Sequence, residues 1–135
     1  PPFTRTPPAE IDRAVRDFQK KNRFEVTGAL TVGQAIRLIK TAAQNGDMES
    51  QDTLGVMYAN GGMYAKKDND EGVVHNYPRA EYWFLAATRQ QDCNAMMNLS
   101  FLYEKGVEGV PQNQDKAAYY RELAKTTQCK IHPHK

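Results

Sequence analysis

No stretch of this sequence stays apolar for the roughly 20 residues that a membrane-spanning helix needs, so no membrane span is expected. Charge of one sign is not in excess either. The 18 lysines and arginines stand against 16 aspartates and glutamates, a formal net charge of +2, and so even a balance gives no reason to expect nucleic acid as a partner. The first third is mildly basic and the remainder mildly acidic. Histidine is confined to His75, His132 and His134, none on a predicted helical core face, and no nucleophile stands at a recognisable spacing from a matched base. Neither catalysis nor a bound cofactor is therefore expected. The opening Pro1-Pro2-Phe3 lacks an initiator Met and the charged-then-apolar pattern of a signal peptide, and reads as the start of a mature or excised chain.

What is present is helical periodicity. A chain of 135 residues suffices for one domain or one short repeat array with its own core. Residues 1–8 carry four prolines, which block helix and predict an extended linker. Residues 9–41 predict a helical pair. Ile11, Ala14, Val15 and Phe18 recur at three- and four-residue spacing, Thr27-Gly28 marks a turn, and Thr31 with Gln34 forms a capping box. The second helix carries Val32, Ala35, Ile36, Leu38 and Ile39, runs to about Asn45, and is broken by Gly46.

Residues 42–128 repeat. Ala42-Ala43, Ser50, Leu54-Gly55-Val56-Met57-Tyr58 and Asn60-Gly61 are echoed by Ala86-Ala87, Ala95, Leu99-Ser100-Phe101-Leu102-Tyr103 and Lys105-Gly106. Ala80-Glu81-Tyr82-Trp83 is echoed by Ala117-Ala118-Tyr119-Tyr120, at a spacing typical of helical-hairpin solenoids. Small residues such as Gly55, Ala80, Ala95 and Ala117 let helix axes approach, while Leu54, Tyr58, Trp83, Leu99, Tyr103 and Tyr120 fill the space between them. Asn113 is placed to cap the last helix, with Asp115 at its positive end. The expectation is an all-α fold: a short right-handed solenoid of antiparallel helix pairs with an N-terminal helical cap and a tail at residues 129–135.

The pattern Ala-x-x-x-Gly-x-x-x-Ser-x-x-x-Leu-Gly-x-x-Tyr-x-x-Gly from Ala42 to Gly61, followed by Tyr77-x-x-Ala80-x-x-Trp83-x-x-Ala86-Ala87, resembles the Sel-one-like repeats, a branch of the tetratricopeptide-type solenoids. The resemblance implies a protein-interaction scaffold that binds its partner on the concave face. Two departures stand out: Gln91 and Ser100 occupy places where the family carries glycine. The stretch Ala14-Val15-Arg16-Asp17-Phe18-Gln19-Lys20-Lys21 with Phe24, Val26-Thr27-Gly28 and Leu30-Thr31 is similar to the latter half of a peptidoglycan-binding-type helical domain, over about Ile11 to Leu38, which implies a bacterial envelope protein and leaves peptidoglycan as an alternative partner. Some cysteine-rich relatives have been linked to β-lactam binding or hydrolysis, a third reading.

First helices of successive units line the inner surface of such a solenoid. The positions facing away from the inter-helix core are Asp52, Val56 and Ala59 in unit one, with Met97, Phe101 and Glu104 in unit two, predicting an apolar strip with an acidic edge. The segment between Gly62 and Tyr77 is longer than the repeat requires, and its Tyr64 is a further contact candidate. Within that segment Asp68-Asn69-Asp70-Glu71-Gly72 imitates the start of a calcium loop, but Arg79 stands where the bidentate Glu belongs, so a solvated loop and no metal site is expected. A metal site of Cys129, His132 and His134 is set aside for a solvated tail. Cys93 and Cys129 fall at neighbouring ends of one helical hairpin, where either a disulfide or two inert thiols fits. A disulfide would close a loop of about 36 residues, stabilise by about 3–4 kcal/mol, and argue for a periplasmic or secreted protein. The function expected is a non-enzymatic scaffold, adaptor or inhibitor of the bacterial envelope.

Overall fold

The computed structural model describes residues 13, 16–17, 19–21, 29–60 and 67–129. Five helices have defined bounds among them: α1 (Val32–Gln44), α2 (Met48–Asn60), α3 (Tyr77–Thr88), α4 (Cys93–Lys105) and α5 (Gln114–Thr126). Residues 13, 16–17 and 19–21 are also helical. Each defined helix packs on the next in sequence, so α2–α3 and α4–α5 are two stacked pairs and α1 covers the first. The fold is an all-helical solenoid. Among the described residues no helix is long and apolar enough to cross a membrane.

Helix ends follow local chemistry. Gln34 N donates to Thr31 Oγ1 at 3.0 Å and Thr31 N donates to Gln34 Oε1 at 3.3 Å, the reciprocal bonds of the expected capping box. Asn76 Oδ1 accepts from Arg79 N to open α3, and Asn113 Oδ1 accepts from Lys116 N to open α5, both at 3.0 Å. Asp92 caps α4 through the backbone N–H groups of Asn94 and Ala95. Gly46 closes α1 with φ +97°. At the equivalent point after α3, Gln91 adopts φ +69°, so the turn geometry survives without its glycine, at a cost of about 1 kcal/mol.

The core runs through the seams between helices. Leu54, Tyr58, Ala80, Ala87, Ala95, Leu99, Tyr103 and Ala117 are buried, as the repeat pattern requires. Trp83 and Tyr120 are partly buried and pack against this cluster. Phe84 has the largest fully buried side chain among the described residues and carries no signal in the repeat pattern. Its ring lies over Gly55, where an added Cβ would come within 2.6 Å of it, so the glycine is the notch that admits the ring. At Ser100, in place of the second family glycine, the hydroxyl donates to Ala117 O at 2.9 Å and ties α4 to α5.

The long segment between α2 and α3 returns to the repeat register by Val73. Val73 and Val110 are equally buried at 1%, and the next turn in each unit closes by the same bond: Asn76 N to Tyr58 O, and Asn113 N to Tyr103 O. Lys40 on α1 holds the segment down by donating to Asp68 Oδ1 at 2.7 Å and to Asn69 O at 2.8 Å. Cys93 and Cys129 form a disulfide with a Cα–Cα distance of 5.5 Å, joining the start of α4 to the chain just beyond α5.

Candidate functional site

The helices α2 and α4 are the first members of their pairs, and the side chains between them form a groove. Its cavity measures about 330 Å³ and is lined by Val56, Ala59, Asn60, Tyr77, Asn98 and Phe101 among others. Phe101 is 59% exposed and Met97 47% exposed, large apolar groups open to solvent on one helix face. Lys105 Nζ lies 5.7 Å from the centre of the Phe101 ring, a cation–π contact at the rim. Val56 is half-buried, packed on the core while contributing to the groove. Glu104 is exposed and pairs with Arg121 at 3.6 Å. Tyr64 lies outside the described residues.

Asp52 departs from expectation. The sequence placed it on an acidic edge of the strip, but it is 5% exposed and sits in the seam between repeats. Asn94 Nδ2 donates to its Oδ2 at 2.6 Å and Asn98 Nδ2 to its Oδ1 at 3.1 Å. The reason is long-range: α4, more than forty residues later, covers this turn of α2. Burial pushes the Asp52 carboxyl up to about 6, the two asparagine amides pull it down, and the like charge of Asp92 adds to the rise. Alongside, Gln90 Nε2 donates to Gln51 Oε1 and Gly46 O, while Gln51 Nε2 donates to Ala43 O. The joint between repeats is therefore a polar, hydrogen-bonded seam next to an apolar groove. Asn98 belongs to both. Its signal in the sequence is the i, i+4 spacing from Asn94, which places both amides on one helix face.

The other motifs are occupied by structural roles. Asp68 accepts from Lys40 and lies 3.4 Å from Arg79. Burial acts upward on its carboxyl, but hydrogen bonds from Lys40 and Tyr58 and both positive charges hold it below the usual carboxylate range. No cluster of three or more histidine, cysteine, aspartate or glutamate residues suited to a metal occurs among the described residues. His132 and His134 lie outside them. Both cysteine sulfurs are spent in the disulfide, so neither is a free nucleophile or thiolate ligand.

Two stacked helix pairs with a groove between their first helices define a helical-repeat scaffold. Sel1 repeat models match residues 49–92 and 93–125, more than half of the chain, and the chain belongs to the Sel1 repeat family. Repeats of this family generally mediate protein–protein interaction. Among solved structures, a Sel1 repeat protein from Oxalobacter formigenes is similar, at 22% identity and a TM-score of 0.67 over 93% of this chain and 98% of that one. At that identity the likeness speaks for the fold alone. No curated protein matches the chain. The Sel1 repeat matches do not extend the peptidoglycan-binding resemblance expected from the sequence; of that stretch only part falls within the described residues, where Gln19 is buried and its Nε2 donates to Ala29 O at 2.8 Å.

Proposed function

We propose that this chain is a non-enzymatic scaffold, adaptor or inhibitor of the bacterial cell envelope that grips a protein partner in the groove between α2 and α4. The observation that carries this reading is the open side of α4. Phe101 is exposed and lines a cavity large enough for a bulky side chain, and Met97 is exposed one turn earlier on the same helix; solvent-exposed aromatic and methionine side chains are the usual anchors of an interface. The Cys93–Cys129 disulfide supports an oxidising compartment, periplasmic or extracellular.

The test is capture of a partner from envelope extracts by the immobilised chain, compared with Phe101→Asp and Met97→Asp. Both side chains are exposed, so the variants keep the fold. Loss of at least tenfold in affinity supports the groove, and unchanged binding by both variants rejects it. A second reading, a peptidoglycan-binding module, draws on the N-terminal resemblance alone. Sedimentation with purified sacculi tests it, and absence from the pellet removes it.

A further inference from the structure

Asp52 is a buried carboxyl group with no counterion among the described residues. The salt bridges of the described residues engage Arg37, Lys40, Arg79 and Arg121, none of them with Asp52. Its partners are instead the neutral amides of Asn94 and Asn98, one helical turn apart on α4. The charges nearest in the fold give no relief. Asp92, at the start of α4, adds repulsion, and Glu49 stands one turn earlier on Asp52's own helix. Of the cations of α1 and α3, Lys40 and Arg79 are held at Asp68 and Tyr58, and Arg37 lies 3.9 Å from Glu71. A buried charge without a cation is costly to keep.

We propose that Asp52 is a protonation-dependent joint between the two repeats, which couples the acidity of the medium to the groove through Asn98. An ionised carboxylate only accepts hydrogen bonds, so both amides must turn an N–H toward it. When a proton from water binds one oxygen, that oxygen becomes a donor, and the amide facing it must present its carbonyl instead. The bond that remains loses its charge assistance, about half its strength. Asn98 also lines the groove, so the hold on its amide changes with the state of Asp52. The exchange falls near pH 6, where burial places the carboxyl. On the groove reading given above, an occupant strips further water from this seam, so binding takes up a proton and is tighter at pH 5 than at pH 7.

The joint itself is tested without any partner, which separates it from the pull-down. Heteronuclear NMR of the full chain between pH 3.5 and 8 should show the Asp52 side-chain carboxyl titrating near 6. The side-chain amide signals of Asn94 and Asn98 should shift with the same midpoint, and Asp52→Asn should remove that inflection. An Asp52 midpoint below about 4.5, in the range of an ordinary carboxyl, overturns the proposal. So does an Asn98 amide signal that stays fixed while Asp52 titrates. Both outcomes are read on the unmodified chain, so they stand even where the variant folds poorly.

Discussion

The two helix pairs answer the same geometric demands with different chemistry. In the first, Gly55 is a notch filled by the Phe84 ring, whereas in the second, Ser100 fills its own notch and bonds to Ala117 O. The first pair is entered through a glycine turn at Gly46, and the second through Gln91 in the same left-handed conformation. A long segment latched by Lys40 and Asp68 links the helices of the first pair; a short turn closed by the Val107–Val110 bridge links those of the second, which the disulfide then clasps. The lesson is that the repeat specifies space and backbone direction at each seam, not the residue that supplies them. Both pairs share the buried apolar core; to it the first adds an aromatic ring in a notch, and the second a serine hydrogen bond and a covalent tie.

This contrast can be broken at its strongest point first. Phe84→Ala should cost about 3–5 kcal/mol, because it leaves a void over Gly55 that backbone cannot fill, and denaturant unfolding measures it. Ser100→Ala, by comparison, should cost only about 1 kcal/mol for one hydrogen bond. Next in size, reduction of the disulfide, or Cys93→Ser with Cys129→Ser, should lower stability by about 3–4 kcal/mol for a loop of this length. Protection of the α5 amides from hydrogen exchange should fall more than protection of those in α2.

The polar seam between the pairs offers a subtler test. The Asp52 carboxyl is raised from 3.8 to about 6 in the fold, so between those values the folded state binds more protons than the unfolded one. Its contribution is therefore fully present below pH 4 and is lost as pH rises through 6, amounting to about 3 kcal/mol at most. Asp52→Asn should flatten this part of the profile, so the stability difference between variant and parent should change by about 2–3 kcal/mol between pH 4 and pH 7. A constant difference would contradict the burial of that carboxyl. Smallest of all, Gln91→Gly should stabilise by no more than about 1 kcal/mol, since relief of the left-handed strain is partly offset by the entropy of a freer unfolded chain.

Much of this was legible in the sequence because it is local. The capping box of Thr31 and Gln34, the Asn113 cap and the helix stop at Gly46 depend on residues within one turn of each other, and the structure places all of them as read. The tandem pairs were legible because small and large residues recur at matched positions. What escaped was contact between distant turns. Asp52 looked like a surface acid because its own helix offers nothing to cover it; Asn94 and Asn98 do, from the next repeat. Phe84 was hidden beside the more conspicuous Trp83, and only the glycine opposite it, Gly55, signalled a ring that needed room. Val73 lies in the long segment between Gly62 and Tyr77, yet it is as buried in the first pair as Val110 is in the second.

Adjacent methionines on α4 give the most direct measurement of the central claim, that this helix turns one face into the core and leaves the other open along the groove. Met96 is 2% exposed and Met97 47% exposed, and sulfoxide formation follows access of peroxide to sulfur. Under mild peroxide treatment, peptide mass spectrometry should find Met97 oxidised at least tenfold faster than Met96. Equal rates, or faster oxidation of Met96, would mean that α4 does not present Met97 and Phe101 to a partner.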